Sequence, residues 1–338
     1  MSKIQAVIAG ISGYVPEYIM TNDEISALVD TSDDWILSRI GIKERRILKR
    51  DEGEGVTYLA GKAVQDLMRK TRFNPLEIEA VIFATSTPDY VMPNAAALTA
   101  YKNGMTNAFC FDLSAACSGF IYALEVATSF ISSGKYRKVL VLAGDILSAI
   151  TNYTDRNTCP IFGDGCGAAL LEATSENVGV IDSIMRSDGN SLASLHQWGG
   201  GSVFPASHET VDKNMHTIWQ DGKVVFKQAV SQMSDTCLEL MERNHLSKDD
   251  VKWVVPHQAN LRIIDAVASR MGVSSDKIMV NIQKYGNTSA GTIPICLWDY
   301  ESQLKKGDNI ILTAFGAGFT WGATYLKWGY DFCTRQDL

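Results

Sequence analysis

The chain has 338 residues, is 46% hydrophobic and 20% charged, and carries a formal net charge of −7. That is room for about two domains with a large core, and the acidic balance disfavours a nucleic-acid partner, which wants a basic surface. The seven cysteines (110, 117, 159, 166, 237, 296 and 333) are scattered without any C-x-x-C, which argues against a disulfide framework or zinc site and fits a reducing cytoplasm.

In chain order, "MSKIQAVIAGISGYVP" reads as a first strand and turn, not a targeting leader. The charges of "KERRILKR" (43–50) read as a solvated face. "AVIFATSTPD" (80–89) is a strand running into a polar turn, and "FCFDLSAACSGFIYALEVATSFI" (109–131) is a strand, a turn of small residues and a helix. In that helix Phe120, Ile121, Leu124, Ala127, Phe130 and Ile131 keep the spacing of one buried face. "SGKYRKVLVLAGD" (133–145) leads from glycine and basic residues into a strand, and "GDGCG" (163–167) reads as a tight turn before another. A polar insertion carrying His196, His208 and His216 reads as surface loop, and His245 follows a helix C-terminus. The pattern then repeats as "WVVPHQAN" (253–260), "IMVNIQKYGNTSAGTIPICLWDY" (278–300) and "LKKGDNIILTAFGAG" (304–318). No uninterrupted apolar run reaches the roughly 20 residues of a membrane span, and the longest candidate is crossed by Glu125. A soluble protein without a membrane partner is expected.

Strands alternating with helices indicate an α/β fold, and three matching pieces in the same order indicate an internal duplication. The spacing agrees: 31 residues separate Ser86 from Cys117, and 30 separate His257 from Asn287. Two such halves place corresponding turns face to face. The turn around Cys117 is expected beside the turn 285–291, and the turn after Ala84 beside His257.

Cys117 starts a helix, where unpaired N–H groups and partial positive charge favour a thiolate, and its small neighbours leave a substrate room. It is the candidate nucleophile. Of the five histidines only His257 ends a buried apolar strand, the edge of an α/β sheet where ligand-binding groups collect. Asn287 beside it would give two donors aimed at one oxygen, the arrangement that holds an oxyanion or enolate. "SSGKY" lacks the elements of a phosphate-binding loop, and no H-E-x-x-H or G-x-S-x-G occurs. No metal is expected.

"DLSAACSGF", "VPHQANLRI" and "YGNTSAGTIP", with "DDWILSRIGIKERRI", "IFGDGCGAALL" and "FGAGFTWGA", resemble the β-ketoacyl-acyl carrier protein synthase III family of the thiolase superfamily, over nearly the whole chain. The resemblance implies a thiolase-like duplicated fold of five αβαβα layers with a pseudo-twofold, the halves being 1–185 and 186–338, and a cytoplasmic homodimer. It implies that Cys117 takes an acyl group from an acyl-CoA and that His257 and Asn287 hold the enolate formed when malonyl-acyl carrier protein loses CO2. The product is 3-oxoacyl-acyl carrier protein, the first step of fatty acid synthesis; acylation of another acceptor in secondary metabolism is the alternative. The backbone N–H groups of Cys117 and of the Gly316–Ala317 turn would form the oxyanion hole. Trp35 and Arg156 would sandwich the CoA adenine, with Arg39 near its phosphate, while Phe226 and Asn260 line the pantetheine tunnel. Lys227, Arg262 and Arg270 would dock the acidic carrier, and Met92 would shape the acyl pocket, leaving primer length and branching open. No cofactor is implied, CoA being part of a substrate. A thiolase proper needs a second cysteine in the C-terminal site loop, which here reads "FGAGFTWG" with Cys333 beyond it. Elongating synthases use a second histidine where this chain has Asn287.

Overall fold

The computed structural model describes residues 4–49 and 54–332. Arg50 and Cys333 lie outside the described residues. The main elements are β1 (Gln5–Tyr14), α1 (Asp33–Ile40), α2 (Val56–Thr71), β2 (Ala80–Ala84), β3 (Phe109–Leu113), α3 (Gly119–Ser132), β4 (Lys138–Ile146), β5 (Asp164–Thr174), β6 (Gly179–Ser187), α4 (Gly222–Arg243), β7 (Trp253–Pro256), α5 (Leu261–Met271), α6 (Thr292–Tyr300), β8 (Asn309–Gly316) and β9 (Thr320–Lys327).

Two sheets carry the fold, ordered β1-β5-β4-β2-β3 and β6-β9-β8-β7. In the first, β1 and β4 flank β5 antiparallel, and β4, β2 and β3 run parallel. The second repeats this: β6 and β8 flank β9 antiparallel, and β7 runs parallel to β8. A parallel bridge from Val254 to Ile278 stands where β3 stands in the first sheet. The chain crosses to the second sheet between Thr174 and Gly179, because β6 pairs with β9; the expected 185/186 division falls inside that strand.

The layering follows from which residues must be buried. "AVIFA" in β2 is continuously apolar because both faces are covered, the usual case for parallel strands. Ala80, Ile82 and Ala84 face an inner core with Phe120, Leu124, Ile293 and Leu297 of α3 and α6, and with Ile310 and Leu312 of the second sheet. Val81 and Phe83 face an outer core with Leu59, Val64 and Leu67 of α2. On the far side Met233 and Leu240 of α4 and Ile264 and Val267 of α5 cover the second sheet. The five layers are thus α2, sheet, α3 with α6, sheet, α4 with α5.

Two sequence expectations change here. The glycines of "GDGCG" do not make a turn; β5 begins at Asp164. A Cβ at Gly165 would sit 2.7 Å from Ile295 and one at Gly167 2.5 Å from Pro294, so the glycines let α6 lie directly on the strand. Nor is "KERRILKR" wholly a solvated face, since Arg45 is fully buried. Its guanidinium donates to Met20 O at 3.0 Å, Asn22 Oδ1 at 2.8 Å and Pro160 O at 2.9 Å. These bonds replace part of the water it loses; Nε is buried without a partner among the described residues, and burial lowers its pKa to about 10.

Candidate active site

The two central helices begin from matching turns. Ala116–Ser118 precedes α3 and Ser289–Gly291 precedes α6, each a single 3₁₀ turn. Each opens in the left-handed region that side chains disfavour, with φ +45° at Ala116 and +52° at Ser289. The turns meet across the pseudo-twofold: a Cβ on Gly119, directly after the first turn, would lie 3.2 Å from that of Ala290 in the second. The expected juxtaposition of the Cys117 turn with residues 285–291 is therefore present, although Cys117 and Asn287 are not equivalent positions. By its place in the 3₁₀ turn, Cys117 matches Ala290.

Cys117, His257 and Asn287 line one cavity of about 840 Å³, which also reaches Trp35, Arg39, Phe226 and Asn260. His257 follows β7, and its backbone N–H continues the ladder to Thr313 O at 2.8 Å. Its ring Nδ1 lies 2.7 Å from Thr292 Oγ1, which turns Nε2 toward the cavity. Gln258, buried beside it, donates to Pro256 O at 2.7 Å and accepts from Asn281 N at 3.0 Å, clamping the loop that leads to Asn287. Asn287 Oδ1 accepts from Ser289 N at 2.8 Å. That bond leaves the amide NH₂ of Asn287 as the group available to Cys117, on which it acts as a hydrogen-bond partner.

The electrostatics run against the expectation of a thiolate. Burial pushes the Cys117 thiol up to about 12; the charge of Asp145 adds to this, while hydrogen bonds from Ser289, the Cys117 backbone and Asn287 oppose it. The helix proper starts two residues later, at Gly119, so its N-terminal charge acts at a distance that desolvation outweighs. Cys117 keeps part of its surface open to the cavity but is otherwise enclosed by protein, and the upward direction follows from that enclosure. Burial lowers His257 to about 3. Both shifts favour a neutral thiol and a neutral imidazole.

Asp145 behind the thiol was not singled out by sequence. It is fully buried at the end of β4 and accepts from Thr85 Oγ1 at 3.0 Å, Ser86 N at 2.6 Å, and Thr87 N at 3.0 Å. It thereby fixes the "TSTPD" turn on the cavity wall. The acidic end of "VLVLAGD" was the available signal. His196 was read as surface loop, yet it lines the cavity. It stacks against Trp198 at 3.9 Å and Trp219 at 5.1 Å between ring centroids, on a short ribbon of Leu195–His196 with Trp219–Gln220. The alternation of histidine and tryptophan in "LHQW" was its only trace.

The remaining expected residues divide. Trp35 sits in the first turn of α1, whose N-cap Ser32 accepts from Trp35 N at 3.2 Å. The Arg156 guanidinium lies 5.3 Å from the Trp35 ring centroid, so the two side chains pack on each other. Asn260 caps α5, accepting from Arg262 N at 2.9 Å, and Arg262 lies 5.6 Å from the Phe226 ring centroid. Lys227 and Arg262 are exposed beside the mouth, where Lys223 also stands. Arg270 is instead paired with Asp235 at 2.7 Å. Met92 is 79% exposed and does not line the cavity of its own chain, because its loop projects outward with Tyr90 and Val91. Among the described residues no cluster of three His, Cys, Asp or Glu side chains could hold a metal.

Comparison with known proteins gives a consistent picture. Residues 111–189 match the family model for 3-oxoacyl-[acyl-carrier-protein] synthase III, and residues 241–328 match the model of that enzyme's C-terminal part. The beta-ketoacyl-[acyl-carrier-protein] synthase III of Azobacteroides pseudotrichonymphae genomovar. CFP2 is 65% identical over 98% of this chain and 99% of its own. That of Phocaeicola vulgatus is 59% identical over the same shares. The crystal structure of 3-oxoacyl-[acyl-carrier-protein] synthase III from Aquifex aeolicus VF5 superposes with a TM-score of 0.87 at 40% identity, over 96% of this chain and 100% of that one.

Proposed function

The chain belongs to the 3-oxoacyl-[acyl-carrier-protein] synthase III family, and from that premise we propose that Cys117, His257 and Asn287 carry out the family's condensation in this cavity. The protein is an acyltransferase that begins fatty acid synthesis by joining an acyl-CoA primer to malonyl-acyl carrier protein. The observation that carries the residue assignment is that these three side chains meet in one cavity large enough for a pantetheine arm.

In the first half-reaction Cys117 Sγ attacks the thioester carbonyl. The C–S bond to CoA breaks, and the thiol proton leaves with CoA. The carbonyl oxygen is held by the N–H of Cys117 and one from the Gly316–Ala317 turn. In the second, malonyl-acyl carrier protein loses CO2 and the enolate oxygen is held by the His257 ring and the Asn287 amide. The enolate carbon attacks the acyl-cysteine, and the Cys117 thiolate departs and takes up a proton. Both thioesters are substrates, so the chemistry balances without a cofactor. Trp35, Arg156 and Arg39 would grip the CoA nucleotide, and Phe226 and Asn260 its arm. Lys227, Arg262 and Lys223 would meet the acidic carrier, with Arg270 contributing less because Asp235 neutralises it.

A cytoplasmic homodimer fits the same reading. Six described cysteines are unpaired, as a reducing compartment allows, and no helix among the described residues is long and apolar enough to cross a membrane. β3 is an edge strand whose Phe109 is 41% exposed, and Val91 nearby in sequence is 92% exposed; a second copy would cover such surface.

Mass spectrometry after incubation with acetyl-CoA tests the assignment. We expect one acetyl adduct on Cys117, absent in Cys117→Ser. An unmodified Cys117 overturns the reading.

A further inference from the structure

The Thr292 hydroxyl is the partner on the back of the His257 ring. Oγ1 lies 2.7 Å from His257 Nδ1 and 3.1 Å from Ser289 O. Both side chains are 2% exposed, so neither can exchange this partner for bulk water. A hydroxyl has one proton and can donate to only one of these two acceptors.

We infer that Thr292 is a positioning residue: its hydroxyl donates to His257 Nδ1 and so holds the ring in the tautomer that presents Nε2–H to the cavity. Three observations carry this. The Ser289 carbonyl already accepts the backbone N–H of Thr292, so it is not orphaned when the hydroxyl turns away. Among the described residues Nδ1 has no other hydrogen-bond partner, and its contact is the shorter of the two. In the opposite arrangement Nδ1–H would donate to Oγ1, leaving a lone pair on Nε2 aimed at the oxygen that gathers negative charge. A lone pair there repels the enolate, whereas an N–H holds it.

The device is built from both ends of the repeat. Thr292 is the first residue of α6, directly after the turn that opens at Ser289. The turn that orients the Asn287 amide through Ser289 N therefore orients the imidazole as well. One strained turn sets both enolate donors.

This inference rests on the enolate-holding role given to His257 above, and the two fail separately. Three variants are compared with wild type: Thr292→Val, which keeps the shape and removes the hydroxyl; Thr292→Ser, which keeps the hydroxyl; and His257→Ala. Two readouts are taken: acetylation of Cys117 by acetyl-CoA, followed by mass, and CO2 release from malonyl-acyl carrier protein. Nitrogen-15 NMR of the ring gives the tautomer in wild type. Expected are a protonated Nε2 with bare Nδ1, about tenfold slower CO2 release in Thr292→Val with acetylation within about twofold, and recovery in Thr292→Ser. A protonated Nδ1 in neutral wild-type enzyme overturns the inference, as does Thr292→Val that releases CO2 at the wild-type rate while His257→Ala does not. Equal loss of both half-reactions in Thr292→Val also overturns it, since that marks a purely structural threonine. If His257→Ala releases CO2 normally, the enolate role itself is wrong.

Discussion

Gly316→Ala is the sharpest test of the acyl-binding geometry. Gly316 ends β8 directly against the nucleophile's turn, and a Cβ there would lie 2.7 Å from Cys117 N, 3.2 Å from Cys117 Cβ and 3.2 Å from Ser118 N. Its φ is not in the left-handed region, so alanine meets no backbone strain and acts through space alone. The first distance is several tenths of an ångström inside ordinary contact, and the obstacle is backbone, which cannot rotate away. Either β8 or the Cys117 turn must give, by an amount near the roughly 0.5 Å that catalytic constellations tolerate.

Overpacking of this kind costs about 1–3 kcal/mol of stability. The functional effect is larger. Displacing or shielding the Cys117 N–H removes one oxyanion donor, a loss of about 10²- to 10³-fold in rate. The assay is the single-turnover rate of Cys117 acetylation under saturating acetyl-CoA, with CoA binding measured separately in competition. Binding should hold, because the Trp35 end of the cavity is untouched, while acetylation falls about a hundredfold. Gly201→Ala, whose Cβ would meet nothing within 4 Å, should match wild type. Acetylation of Gly316→Ala within about threefold of wild type refutes the oxyanion assignment.

Other consequences can be measured directly. Trp35→Ala should raise KM for acetyl-CoA about five- to a hundredfold with kcat unchanged, the range expected for a lost base-stacking platform; equal KM values would remove Trp35 from the nucleotide site. With the thiol raised to about 12, alkylation of Cys117 by neutral iodoacetamide should climb about tenfold per pH unit from 7 to 10, because only the thiolate reacts. A plateau below pH 8 would show a thiolate already formed. Gly119→Ala, whose Cβ would come 2.8 Å from that of Ala84, should lower stability by about 1–3 kcal/mol in denaturant unfolding, and an unchanged midpoint contradicts the close approach of α3 to β2 there.

What the sequence revealed follows from which physics acts locally. The continuous apolar run of β2, the periodicity of α3 and the repeated order of elements are local signals, and they suffice to put the Cys117 turn beside residues 285–291. Register across the repeat is not local. Spacings of 31 and 30 residues suggest that Asn287 falls opposite Cys117, whereas the two turns align Cys117 with Ala290. The thiol's acidity misled because a helix N-terminus is visible in sequence and enclosure is not; with both present, enclosure wins at Cys117. Arg45 shows the same blindness, since a charged run looks solvated until Asn22 and Pro160 close around its middle. Met92 was placed at the acyl pocket by resemblance, but one chain's fold leaves it 79% exposed. His196 became part of the cavity only because Trp219 returns to pair with it.

The two shifted groups together constrain how the site can work. Burial pushes the Cys117 thiol up and the His257 imidazole down, and both directions disfavour a thiolate–imidazolium pair. Asp145, buried behind the thiol, strengthens that bias because its charge opposes a second anion. Catalysis by a neutral thiol then depends on donors fixed where negative charge later appears. On the proposed assignment such donors come from both halves: backbone N–H groups beside Gly316 would hold the acyl oxygen, and the Asn287 amide and His257 ring the enolate. Each is oriented by a bond already made, Asn287 through Ser289 and His257 through Thr292. Burial around Cys117 and His257 makes those dipoles count for more than they would in water. The same enclosure that suppresses the thiolate thus strengthens the groups that stabilise charge once an acyl-CoA has entered.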